Sequence, residues 1–94
     1  MNKQRYKTVW DAIEDTSQQA ASMKARAELM RALQAHLKRK ALTQAKAAKL
    51  LGVTQPRISD LMRGRIDLFS IETLMDMLSH AGMQVKFTLR KQAA

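Results

Sequence analysis

The stretch from Thr43 to Leu61, which reads TQAKAAKLLGVTQPRISDL, constrains the fold more than any other part of the chain. Within it the small residue Ala48 would let two short helices cross closely, and Gly52 would supply the tight turn between them. The apolar side chains at the right spacing to fill the wedge between these helices are Val53, Ile58 and Leu61. The spacing therefore predicts a pair of crossed helices over residues 43–64, with the polar residues of the second helix facing outward.

Helical patterns flank this pair on both sides. Thr16 or Ser17 is a candidate N-cap for a long helix over residues 16–39, preceded by an N-terminal arm of residues 1–15. The apolar positions of the long helix recur every three or four residues and are Met23, Ala27, Met30, Leu33 and Leu37. Ser70 caps a further helix over residues 70–81, whose predicted inner face is Ile71, Leu74, Met75 and Leu78. We therefore expect residues 1–94 to form a single all-α domain, a bundle of four to five helices.

The last element changes its period from helical to alternating. Met83, Val85, Phe87 and Leu89 alternate with polar residues, which predicts a strand over residues 83–89. A lone strand leaves its backbone donors and acceptors unpaired, and within the chain only residues 5–9 are a candidate partner. We expect the strand to pair instead with its copy in a homodimer, with Val85, Phe87 and Leu89 at the dimer interface. Pairing within the chain stays open.

Basic residues are concentrated in the middle of the chain, whose total net charge is +9. The segment 38–65 holds eight lysines and arginines against a single acid, Asp60, so it carries +7 of that charge. By contrast, Asp11, Glu14 and Asp15 form an acidic patch near the N-terminus. This distribution favours a polyanionic partner for the middle and a second partner for the N-terminal segment, although a merely solvated basic face would show the same charges.

The sequence offers no constellation typical of catalysis or of a cofactor. The chain has no cysteine, which excludes disulfides and thiolate sites for metals or redox chemistry. His36 and His80 stand alone, without a carboxylate or second histidine at metal-ligand spacing, and no glycine-rich phosphate loop or nucleophile–histidine–acid pattern is present. We therefore expect a protein that is not an enzyme and that has no metal or cofactor. No apolar run is long enough for a membrane span, so the expected compartment is the cytoplasm.

The crossed pair, with its flanks over roughly residues 40–81, resembles the helix-turn-helix of the lambda-repressor-like, Xre-type family. The resemblance implies that Gln44 grips a phosphate and that Thr54 and Gln55 reach base edges, where glutamine suits adenine. The full set of residues that it assigns to DNA is Gln44, Thr54, Gln55, Pro56, Arg57, Ser59, Asp60, Arg63 and Arg65. Double-stranded DNA with a palindromic site is thus the expected partner of a homodimer.

The remaining members of this set carry more specific expectations. Arg57 and Ser59 would reach a guanine or flanking phosphates, and Arg63 and Arg65 would contact backbone phosphates after the helix. Pro56 departs from the family pattern, because it removes a side chain that often hydrogen-bonds there, although it can still touch a thymine methyl. Asp60 either accepts from a cytosine amino group or forms an ion pair that orients Arg57 and Arg63, each three residues away, and the ion pair is favoured.

The flanking segments extend the resemblance to small HigA-like antitoxins. In that family the protein neutralises a RelE-type mRNA-cleaving toxin and represses its own operon. Because such a toxin handles RNA and should be basic, the acidic segment with an apolar anchor is the expected docking site. Its candidate residues are Val9, Trp10, Asp11, Ile13 and Glu14. Alternatively, the apolar members of this segment plug the base of the helical core.

Two other functions stay open at this stage. One is a stand-alone or phage-type transcriptional repressor without a toxin. The other is a basic adaptor that binds RNA or an anionic lipid through charge alone. The aromatic content of 4% argues against an RNA-stacking sheet, and the chain lacks a basic amphipathic helix with large aromatics that would favour a lipid surface.

Overall fold

The computed structural model describes the backbone of residues 9–91 and the side chains of residues 18–91. This part of the chain is all-helical, with a short 3-10 helix before the last α-helix. The elements in order are α1 (Val9–Lys40), α2 (Gln44–Leu51), α3 (Gln55–Met62), the 3-10 helix (Ile66–Leu68) and α4 (Ile71–His80). None of these helices has the length and apolar character that crossing a bilayer would require.

Helix α1 is longer than the sequence pattern predicts. It begins at Val9 rather than at the Thr16 or Ser17 cap, so the backbone of residues 9–15 belongs to the helix and not to a separate arm. Neither glycine nor proline interrupts this segment, and the hydrogen-bond ladder therefore continues through both candidate caps. The side chains of residues 18–24 are exposed apart from the half-buried Ser22, and among the described side chains of α1 the first buried one is Met30.

A single apolar core joins the C-terminal half of α1 to the other helices. Its buried members are Met30, Leu33, Leu37, Ala47, Ala48, Leu51, Ile58, Leu61, Phe69, Leu74, Met77 and Leu78. The predicted stripe of α1 is confirmed from Met30 onward, but Met23 is 41% exposed. On α4 the buried position is Met77 rather than Met75, which is half-buried. No polar residue among residues 18–91 is buried.

Three side-chain caps fix where the short helices begin. The hydroxyls of Thr43, Thr54 and Ser70 each accept a hydrogen bond from a backbone N–H in the first turn of α2, α3 and α4, at 3.2, 3.3 and 3.0 Å. After α2 the chain turns at Gly52, whose φ of 70° is the left-handed conformation that an L side chain rarely adopts. Each of these starts rests on a local residue with a specific backbone role, whereas α3 ends at Met62, before the predicted end of the crossed pair at residue 64.

The C-terminal segment forms no strand within the part of the chain that the structure describes. The Met83 amide donates to the Leu78 carbonyl at 2.9 Å, and Met83 and Val85 pack partly buried against the core. Phe87 and Leu89, by contrast, are 72% and 95% exposed. A segment becomes a strand only when a second segment accepts its hydrogen bonds, and no strand lies beside residues 83–91 among the residues that the structure describes. The candidate partner within the chain, residues 5–9, lies outside the described residues except for Val9, which belongs to α1. Pairing with a second copy stays a prediction.

Candidate nucleic-acid interface

Helices α2 and α3 cross through the small and apolar residues that the sequence singles out. Ala48 is buried at the crossing, and the Val53 amide donates to its carbonyl at 3.0 Å, which closes the turn. Ile58 and Leu61 are 1% and 0% exposed, whereas Val53 is half-buried against the same core. The wedge therefore holds α3 rigidly against α2 and leaves the opposite side of α3 turned outward.

The start of α3 and the start of α2 are both accessible to solvent. Thr54, Gln55 and Pro56 are all exposed, as is Gln44 at the first position of α2. Neither helix has an acidic residue in its first turn, so their N-terminal amides present only positive partial charge to an approaching anion. Pro56 occupies an early helical position, where a backbone N–H has no intrahelical partner, and it therefore costs α3 no hydrogen bond.

Arg57 does not extend freely from α3. It is half-buried, and its guanidinium carbon lies 4.1 Å from the centroid of the Phe69 ring. Phe69 is 1% exposed and follows the 3-10 helix, so its ring is fixed by the core. The face of the ring attracts the cation and restricts its rotamers. Sequence reasoning missed Phe69, because a contact that spans the turn after α3 has no helical or strand periodicity.

Asp60 pairs with a different arginine from those expected. Its Oδ1 lies 3.9 Å from the Nε of Arg65, so the expected pairing with Arg57 and Arg63 is wrong. Arg57 is held on the ring of Phe69 instead, and Arg63 ends α3 as its C-cap. The turn after α3 brings Arg65 back, and its amide donates to the Asp60 carbonyl at 3.0 Å. Because Arg65 is half-exposed and the distance is long, this ion pair contributes little stability.

A long-range hydrogen bond ties the end of α3 to α1. The Gln34 side-chain amide donates to the Leu61 carbonyl at 2.7 Å. Beside it, Gly64 takes a φ of 74° and would bring a Cβ to 3.9 Å from the same Gln34 nitrogen. This bond was not predicted, since Gln34 lies outside the apolar stripe of α1. It fixes the C-terminal end of α3, just as the Thr54 cap fixes its N-terminal end.

Cations surround the crossed pair. The exposed basic residues of the last turn of α1, of α2 and of the end of α3 are Lys38, Arg39, Lys40, Lys46, Lys49 and Arg63. Among residues 18–91 the carboxylates close to a basic side chain are Asp60, beside Arg65, and Asp76, beside His80, so none of these six cations is neutralised by a carboxylate there. No grouping of histidines and carboxylates in that part of the chain could hold a metal ion. The surface suits a polyanion.

Of the residues assigned to DNA, six are exposed, namely Gln44, Thr54, Gln55, Pro56, Arg63 and Arg65, the last of which forms the ion pair with Asp60. Arg57, Ser59 and Asp60 are half-buried. The candidate toxin-docking residues, Val9, Trp10, Asp11, Ile13 and Glu14, lie on the first turns of α1, but their side chains are outside the described part. Docking and core plugging therefore both remain predictions.

Comparisons with known proteins agree with this geometry. The model of a family described as a helix-turn-helix domain matches residues 12–90. A solved structure described as an XRE family transcriptional regulator is similar over 79% of this chain and 83% of its own length, with 35% sequence identity and a TM-score of 0.73. No curated protein matches the sequence of this chain at a significant level.

Proposed function

We propose that this chain, which belongs to the XRE-type helix-turn-helix family, is a DNA-binding transcriptional regulator that binds a palindromic operator as a homodimer. The observation that carries the proposal is the exposed first turn of α3, which the apolar wedge and the Thr54 cap hold in a fixed orientation. A short rigid helix with a polar outer face fits the major groove, and the cations around it match the phosphates on either side.

Within this interface Gln55 is the proposed base reader. Its side chain is exposed at the first position of α3, and a glutamine amide can pair with the adjacent acceptor and donor of an adenine. Gln44, Arg63 and Arg65 would contact phosphates, which set the affinity and the register without reading sequence. Thr54, Pro56 and Ser59 would complete the surface that faces the groove. Asp60 would act through Arg65, the arginine with which it is paired.

The homodimer is proposed from the C-terminal segment. Phe87 and Leu89 are exposed apolar residues in a segment that forms no strand among residues 9–91. Pairing of residues 83–89 with their copy would satisfy the backbone groups of this segment and cover both side chains. Two recognition helices related by a two-fold axis would then read half-sites about 34 Å apart, one turn of the duplex.

An antitoxin role is proposed as the finer function. The N-terminal turns of α1 carry Asp11, Glu14 and Asp15, and the side chains of residues 18–24 that follow are almost all exposed. An acidic helical segment suits a basic partner, and a RelE-type mRNA-cleaving toxin is expected to be basic.

Selection of duplexes from a random pool tests the main proposal. The full chain should enrich a two-fold symmetric sequence and should bind it at least about 1000-fold more tightly than random duplex at physiological salt. Equal affinity for selected and random duplexes would contradict the proposal and favour a basic adaptor that binds by charge alone. If the chain binds a specific duplex but neutralises no product of a neighbouring gene, the antitoxin role is contradicted. The chain would then be a stand-alone repressor.

A further inference from the structure

A small cavity opens where the end of α1 meets α2 and α3. Its volume is about 110 Å³. The floor consists of Leu37, Ala47 and Ile58, which are 4%, 2% and 1% exposed and belong to the core. Half-buried Leu42 and Met62 form part of the wall. The cavity therefore has an apolar interior that reaches the core from the protein surface.

The rim of the cavity has a different character from its floor. Lys38 and Gln44 line it, and both are exposed. Lys38 starts a run of three bases that ends α1, and none of the three forms an ion pair within residues 18–91. The dipole of α1 places only about half a negative charge at this end, which is far less than the three positive charges. Of these three bases only Lys38 lines the rim, which therefore carries one cationic side chain and the amide side chain of Gln44.

We propose that this cavity binds a short, branched aliphatic carboxylate. A cavity of about 150 Å³ holds the six carbons of benzene, so about 110 Å³ holds a hydrocarbon group of about four carbons. An isobutyl group has this size, and its burial against the floor would supply the affinity. A carboxylate attached to it would lie at the rim, near the Lys38 ammonium and the Gln44 amide.

The position of the cavity implies an effect on DNA binding, and this second step rests on the proposed function. Gln44 is one of the residues proposed to hold a phosphate, and the cavity is bounded by both helices of the motif. A carboxylate beside Gln44 would compete with that phosphate for the same donor and the same positive charge. Ligand and duplex should therefore weaken each other's binding by an equal factor.

Binding is tested first without DNA. Titration of the isotope-labelled full chain with 3-methylbutanoate should give saturable chemical shift changes at Leu37, Ala47, Ile58 and Met62. Propanoate lacks two of the carbons and should bind about ten-fold more weakly. The neutral 3-methylbutanamide should bind about two- to five-fold more weakly than the acid, which is the contribution of an exposed ion pair. Changes that do not saturate, or that scatter over the surface, would overturn the proposal.

Two variants and a matched control locate the site. Lys38→Gln should reduce the affinity for the acid to that for the amide, whereas Lys24→Gln, an exposed lysine on the same helix away from the cavity, should leave it unchanged. Leu42→Phe should fill the cavity and abolish binding. An equal effect of both lysine substitutions would contradict the site. If the Leu42→Phe chain does not fold, the proposal is tested by the affinities of the unmodified chain for 3-methylbutanoate, 3-methylbutanamide and propanoate.

A second titration separates this proposal from the proposed function. At constant ionic strength, saturating 3-methylbutanoate should lower the duplex affinity of the unmodified chain several-fold and leave that of Lys38→Gln almost unaffected. A chain that binds 3-methylbutanoate but no duplex supports the cavity site and contradicts the regulator. A chain that binds duplex but shows no saturable shifts with the acid contradicts the cavity site alone.

Discussion

The guanidinium carbon of Arg57 lies 4.1 Å from the ring centroid of Phe69, so a proposed DNA contact on α3 rests on a core residue beyond the 3-10 helix. The ring is 1% exposed and cannot follow the arginine if it moves. This contact preorganises Arg57 along α3, because a charged side chain with many rotamers otherwise loses conformational entropy when it binds. The orientation of the recognition helix and that of its arginine are therefore set by different parts of the fold.

Phe69→Leu should release Arg57 without removing its charge. We expect the ring-current shift of the Arg57 side-chain NεH signal to disappear and discrimination at the base nearest Arg57 to fall about two- to five-fold, which corresponds to a weak cation–π contact. Loss of core packing should also lower the free energy of unfolding by about 1 kcal/mol. In a double-mutant cycle with Arg57→Ala, an absence of coupling in duplex affinity would show that the ring only packs the core.

Gln55 and Arg63 should respond differently to truncation. Gln55→Ala should lose about 1–3 kcal/mol on the selected duplex and relax the preference at one base pair, since it removes a base contact. Arg63→Ala should weaken selected and random duplexes alike and reduce the slope of affinity against salt concentration, since it removes a phosphate contact. Affinities measured over a series of salt concentrations distinguish the two. If Gln55→Ala lowers the affinity for selected and random duplexes equally, Gln55 contacts the phosphate backbone rather than a base.

Phe87→Asp tests the proposed dimer. Phe87 is 72% exposed in the single chain, so the substitution should leave the monomer fold intact, as the melting temperature would show. In the dimer it would bury an unpaired carboxylate and should give monomers with reduced operator affinity, because bivalent binding is lost. Thr88→Asp, at the neighbouring position of opposite alternation, is the matched control and should remain dimeric. If light scattering shows that the Phe87→Asp variant is still a dimer, the dimer interface does not include Phe87 and lies elsewhere on the chain.

Substitutions of two half-buried polar residues on α1 should change the free energy of unfolding in opposite directions. Gln34→Met removes the 2.7 Å hydrogen bond to the Leu61 carbonyl and should lower the free energy of unfolding by about 1 kcal/mol. The Nε2 of His36 is buried without a hydrogen-bond partner, so His36→Leu should raise that free energy by about 1 kcal/mol. Denaturant unfolding of both variants at one pH measures the difference. Destabilisation by His36→Leu would mean that the imidazole has a partner.

The elements that could be predicted from the sequence are those with a local cause. Thr43, Gly52 and Thr54 act through their own backbone or the next turn, so the bounds of α2 and of the start of α3 follow from residue type and spacing. The start of α1 could not be predicted in this way, because Thr16 and Ser17 are as compatible with a helix interior as with a cap. A residue type predicts a helix boundary only where continuing the helix past that residue would cost free energy.

The same distinction explains what was missed at the candidate interface. Asp60 pairs with Arg65 rather than with an arginine three residues away, since the left-handed turn at Gly64 redirects the chain. The contacts of Phe69 with Arg57 and of Gln34 with the Leu61 carbonyl join separate elements and leave no periodic trace. Helical spacing predicts which side chains of α3 turn outward, but it does not predict how each is held.

The first turns of α1 provide the test of the antitoxin role. Deletion of residues 1–15 would remove the acidic patch but also shorten a continuous helix, so charge substitution is the sharper change. Replacement of Asp11 and Glu14 by glutamine keeps the helix and should weaken binding of a basic toxin encoded by a neighbouring gene by about ten-fold, while duplex affinity and melting temperature stay unchanged. Asp67 and Glu28, exposed acids elsewhere in the described part of the chain, serve as matched controls for the loss of charge. Equal toxin binding by both double variants would contradict docking on this segment. If Trp10→Ala instead lowers the melting temperature with no effect on toxin binding, the apolar residues of this segment belong to the core.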